Sequence, residues 1–95
     1  MGRLRQIARQ VEKGDISFTK HAYDQMIVRD IYIKQVQEAI LNGRIVRKWI
    51  ERDGGKMAIV GRRFNGDFIK IVVKDSIPPT IITVCYPYEE LHFYR

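Results

Sequence analysis

Lys56-Met57-Ala58-Ile59-Val60-Gly61-Arg62-Arg63-Phe64-Asn65-Gly66-Asp67-Phe68-Ile69-Lys70-Ile71-Val72-Val73-Lys74 is the stretch that decides the fold. Both halves are rich in β-branched and aromatic residues. Asn65-Gly66 between them is the preferred dipeptide of a two-residue type I′ hairpin turn. The expectation is two antiparallel strands joined at that point. In the second, Ile69, Ile71 and Val73 point one way, toward a helical layer, while Phe68, Lys70, Val72 and Lys74 point the other. Arg62 and Arg63 are consecutive and so point to opposite faces, which lets one of them join Lys70.

Outward from this hairpin the period-two pattern continues. Arg44 to Glu51 reads as a strand closed by the turn signal Arg52-Asp53-Gly54-Gly55. Asp75-Ser76-Ile77-Pro78-Pro79 breaks the hairpin's second strand, because proline cannot donate to a ladder. Thr80 to Tyr86 is apolar on both faces, as an internal strand is. Upstream the period is helical. Leu4, Ile7, Ala8 and Val11 fall at i, i+3, i+4 and i+7, and Gly14 stops that helix. Asp15-Ile16-Ser17-Phe18 is a short extended link. Thr19 N-caps a helix from Lys20 to Arg29 with Ala22 and Met26 on its core face and His21, Gln25 and Arg29 along a polar margin. Ile33, Val36, Ala39 and Ile40 mark a further helix closed by Asn42-Gly43. The predicted fold is α+β, with N-terminal helices packed on one face of a four-stranded, mainly antiparallel sheet. The open face should carry the function.

Ninety-five residues suit one domain, divided here into an N-terminal helix extension (1–14), a core (15–88) and a tail (89–95). There is no run of 18 apolar residues, and the first residues lack the apolar core of a secretory signal, so no membrane partner is expected. The single cysteine, Cys85, excludes an internal disulfide and a multi-cysteine zinc site, which fits a reduced cytoplasmic setting. No Asp/Glu/His cluster at ligand spacing calls for a metal, and no cofactor is expected. The net charge of +6 and pI near 9.7 favour an anionic partner, with nucleic acid first.

Two lysines and an aromatic on one strand face suit a nucleic-acid surface, Phe68 stacking on bases and Lys70 and Lys74 neutralising phosphates. Arg62, Arg63 and Tyr88 complete the RNA-binding set. The plainer reading is that lysines on a strand face discourage edge pairing. Metal-free RNA cleavage needs a base for the 2′-hydroxyl, an acid for the leaving oxygen and cations for the phosphorane. Histidine is the residue type suited to proton transfer near neutral pH, and the chain has two, His21 and His92. His21 is the candidate proton-transfer group, Arg29 the phosphate fork, Lys70 a further cation and Tyr86 a phenolic donor. Against this, a lone histidine near a helix start is commonly a capping or half-buried group.

Phe18-Thr19-Lys20-His21-Ala22, then Met26, Arg29 and Ile31, then Val36 through Asn42-Gly43, resembles the bacterial family called domain of unknown function 4258. The Arg-Phe-Asn-Gly-Asp hairpin and the Ile-Ile-Thr-Val-Cys-Tyr-Pro strand resemble it too, over roughly residues 15 to 88. One departure is Gln25, where family members often carry a basic residue. Such domains look like the RelE/BrnT-type toxin superfamily. That resemblance implies a small α+β endoribonuclease of a toxin–antitoxin pair, with RNA as substrate, on or off the ribosome, and an antitoxin protein as neutralising partner. Two other readings stand beside it: a catalytically silent nucleic-acid-binding module, and a protein-interaction domain whose partner covers the basic face.

Overall fold

Ile7 and Val11 are fully buried along one face of helix α1 (Arg3–Glu12), with Leu4 packed against the same core. The computed structural model describes residues 3–63 and 65–89, apart from the side chain of residue 3; residues 90–95, His92 among them, lie outside the described residues. Gly14 ends α1 at φ +80°, donating to the Val11 carbonyl. The chain then forms a two-residue strand, β1 (Ser17–Phe18), before helix α2 (Lys20–Arg29) and helix α3 (Ile33–Asn42). Four longer strands follow: β2 (Arg44–Glu51), β3 (Gly54–Arg62), β4 (Phe68–Lys74) and β5 (Thr80–Cys85), and a 3₁₀ turn over Pro87–Glu89.

The fold is α+β, but the sheet is five-stranded and mixed, in the order β1-β5-β4-β3-β2, with β1 parallel to β5. This corrects the expected four-stranded sheet. The link before α2 is a strand because Ser17 donates to the Pro79 carbonyl and Thr19 to that of Ile81. Two residues show no periodicity, so sequence patterning cannot reveal them. β5 is internal, as its apolar run implies.

β1 is too short to cover all of β5, and α2 covers the remainder. The Thr19 hydroxyl accepts from the Ala22 amide at 3.1 Å as an N-cap and donates to the Ile82 carbonyl at 3.3 Å. Gln25 is buried, and its side-chain oxygen accepts from the Val84 amide at 3.0 Å. The amide that looked like part of a polar ribbon instead satisfies an interior backbone group.

The hairpin joins β3 to β4 antiparallel, and Ile69, Ile71 and Val73 are fully buried beneath the helices. Its turn differs from the type I′ expectation. Gly66 has φ +99° and donates to Arg63, whose own amide donates to Asp67. The loop is one residue longer than predicted, and Asn65 Oδ1 accepts from the Asp67 amide at 3.0 Å. Two bulges adjust the strands. Register shifts at Val46 in β2, and at Ile82 in β5, where it lets Ile81 and Val84 both reach the core three residues apart. α3 lies unusually close to β3: a Cβ on Gly61 would stand 1.8 Å from the Ala39 carbonyl oxygen.

Candidate nucleic-acid interface

Residues paired directly across an antiparallel ladder share a face. With Ile69, Ile71 and Val73 under the helices, Phe68, Lys70, Val72 and Lys74 occupy the helix-free face of β4. The pairs Lys56↔Lys74, Val60↔Lys70 and Arg62↔Phe68 add Lys56 and Arg62 from β3. Arg44↔Val60, Arg47↔Ala58 and Trp49↔Lys56 add Arg44, Arg47 and Trp49 from β2. This face is therefore lined with cations and carries two aromatic rings, each with an arginine beside it. The Arg47 guanidinium lies 4.9 Å from the Trp49 ring centroid, and that of Arg62 lies 5.7 Å from Phe68.

Among the described residues, the acidic groups on this face sit at one end. Lys56, only 6% exposed, is ion-paired with Glu51 at 3.2 Å and with Asp53. Trp49 Nε1 donates to Glu51 at 2.8 Å, and that bond, with Lys56, draws the Glu51 carboxyl below its ordinary value. The Lys56 bond likewise lowers Asp53, which also lies 3.7 Å from Lys74. Lys70 is 3% exposed, and burial pulls its ammonium below the usual lysine value. Beside it Cys85 is buried, which pushes the thiol up. Lys56, Lys70, Trp49 and Cys85 line one cavity of about 180 Å³.

The other residues singled out in the sequence gather elsewhere. Arg29 holds Glu89 bidentately, Nε to Oε1 at 2.8 Å and Nη2 to Oε2 at 2.6 Å, and this pairing holds the guanidinium firmly charged. Arg63, the opposite-facing neighbour of Arg62, is 6% exposed and donates to Asp67, Gln35 and the Tyr86 hydroxyl. The Tyr86 hydroxyl donates to the Arg29 carbonyl at 3.3 Å, and Tyr88 stacks on Tyr86 with ring centroids 5.5 Å apart. Arg29, Arg63, Tyr86 and Glu89 thus form a clasp between the end of α2, the hairpin and the end of β5. His21 is exposed on the first turn of α2, in the helical layer. His21 and Arg29 share a helix about 12 Å apart along its axis; that helix borders β5, whereas Lys70 stands on β4.

The structure thus brings Lys70, Lys74, Arg62 and Phe68 together, and separately brings Arg29, Arg63, Tyr86 and Tyr88 together. Sequence reading missed Arg44, Arg47, Trp49 and Lys56. Strict alternation puts Arg44 and Trp49 on opposite faces; the bulge at Val46 puts them on the same one. Among the described residues no group of three His, Cys, Asp or Glu side chains could hold a metal ion, and no helix is long and apolar enough to cross a membrane.

The family model described as "Domain of unknown function (DUF4258)" matches residues 18–86. The matched segment runs from β1 to the end of β5, and so includes the helix-free face and most of the clasp. No curated protein and no solved structure matches the chain.

Proposed function

The chain belongs to the DUF4258 family of unknown function, and from that premise we propose that it binds single-stranded RNA on the helix-free face of its sheet. One observation carries this reading: Arg47 on Trp49 and Arg62 on Phe68 stand on the same face as Arg44, Lys56, Lys70 and Lys74. Flat rings offer stacking surfaces to unpaired bases whatever their identity, and the surrounding cations follow the phosphates. The excess of 17 Lys and Arg over 11 Asp and Glu adds long-range attraction.

Fluorescence anisotropy of a labelled single-stranded RNA across a salt series tests it. The log–log slope should shrink by about 0.7 for each phosphate contact removed in Arg44→Gln, Arg62→Gln and Lys74→Gln. Trp49→Ala should weaken binding by about 1–3 kcal/mol. Slopes unchanged in all three charge variants, with a loss in Arg5→Gln and Arg9→Gln instead, would move the anion site to α1.

The toxin-type endoribonuclease is the finer reading, and the depressed ammonium of Lys70 favours it. A proton-transfer group works best with its pKa near the working pH, and burial moves Lys70 in that direction. On this reading the 2′-hydroxyl gives its proton to solvent as its oxygen attacks phosphorus, Lys70 gives a proton to the leaving 5′-oxygen as the P–O5′ bond breaks, and the cations around it steady the phosphorane. The products would be a 2′,3′-cyclic phosphate and a 5′-hydroxyl, and a neutralising antitoxin would cover the same face. Cleavage in EDTA should fall about 100-fold in Lys70→Arg with RNA affinity retained. A wild-type chain that binds RNA but cuts none, with or without ribosomes, leaves the binding module alone.

A further inference from the structure

We propose that two copies of this chain associate through the outer edge of β2, antiparallel and with the twofold axis at Trp49. β2 ends the strand order, and among the described residues its outer side borders no other strand of the sheet. An edge of eight residues is a template for another strand unless something blunts it. The bulge at Val46 does so at one end, leaving Arg47 to Glu51 regular. On that segment stands Ile50, 86% exposed, more than any other large apolar side chain among the described residues. A groove of about 630 Å³, lined by Lys48, Ile50, Met57 and Asp75 among others, lies against it.

The charges select the partner. Twofold pairing about Trp49 sets Arg47 opposite Glu51 twice and Lys48 opposite Ile50 twice, with each pair on a common face. The two Ile50 side chains become diagonal neighbours beside the groove. A twofold centred on Lys48 or on Arg47 would instead set like charges face to face. A second copy in this register thus sets unlike charges opposite one another along the edge of β2, and covers the exposed Ile50. Because the axis is perpendicular to the sheet, both helical layers fall on one side and both basic faces merge on the other.

Sedimentation velocity from roughly 5 to 500 µM at near-physiological salt reads the association directly. The wild type should pass from monomer to dimer. Ile50→Lys should weaken the dimer about tenfold or more, with an unchanged circular-dichroism spectrum, since that side chain is exposed in the monomer. Register is tested in a Cys85→Ser background. Directly opposed residues have Cα atoms about 4.5–5.5 Å apart, within disulfide reach. The Trp49→Cys chain should therefore cross-link to itself on mild oxidation, and the Lys48→Cys chain should not. A wild type that stays monomeric at the highest concentration overturns the proposal. So does a dimer that tolerates Ile50→Lys and gives no cross-link through position 49.

Discussion

Arg29 and Glu89, 60 positions apart in the chain, are joined by two parallel hydrogen bonds of 2.8 and 2.6 Å, so the carboxylate fills the fork that a phosphate would otherwise occupy. The pair is largely shielded from solvent, and Glu89 Oε1 also accepts from the Tyr86 amide at 2.8 Å. This geometry assigns Arg29 to holding the end of β5 against α2. Arg29→Lys, which cannot reproduce the fork, should cost about 1–2 kcal/mol in urea denaturation, with RNA affinity unchanged. Loss of RNA affinity at wild-type stability would return Arg29 to the phosphate.

Gly61→Ala should be more damaging than its size suggests. The added methyl would stand 1.8 Å from the Ala39 carbonyl oxygen, and backbone on both sides of that contact leaves no flexible side chain to yield. Moving α3 away from β3 should cost about 1–3 kcal/mol or more. A thermal melt within a degree or so of wild type would contradict the close approach.

At the hairpin, Gly66 sits at φ +99° with open space around its missing side chain, so the penalty there is conformational rather than steric crowding. Gly66→Val should cost about 1–3 kcal/mol. Asn65→Gly should be milder, because it removes the side-chain bond from Asn65 to the Asp67 amide and adds no side chain at a positive φ. Equal losses from the two substitutions would restore the type I′ turn.

The Lys56 cluster sets an acid-side dependence. The carboxyls of Glu51 and Asp53 lie below their ordinary values of 4.5 and 3.8, so the unfolded chain binds more protons than the native one in that range. Their contribution is present above the ordinary values and lost as pH falls through the lowered ones. Melting temperatures of wild type and Lys56→Met should therefore differ most above about pH 5 and converge toward pH 3. A gap that stays constant would show that Lys56 stabilises through its buried stem alone.

His21 is exposed on the first turn of α2, which borders β5, while the cations and aromatic rings stand on β2, β3 and β4. His21→Ala should therefore leave both RNA affinity and melting temperature close to wild type. In a cleavage assay it should match wild type while Lys70→Arg does not. The reverse result would place the chemistry on α2.

By itself the sequence determined the elements and their inward faces. Helical spacing located Ile7, Val11, Ala22, Met26, Val36 and Ile40, and period-two spacing located Ile69, Ile71 and Val73, because burial imprints a local repeat on each segment. It also separated Arg62 from Arg63, since neighbours on a strand must diverge. The tertiary structure decided what no local repeat encodes. Ser17-Phe18 is a strand because β5 lies beside it, and Gln25 is interior because β5 leaves an amide uncovered there. Arg44 shares a face with Trp49 because register shifts at Val46. Arg29 and Arg63 became parts of a clasp because Glu89 and Asp67 reach them. Each depends on which backbone group another segment leaves unpaired, a relation between distant parts of the chain that appears only once they are packed together.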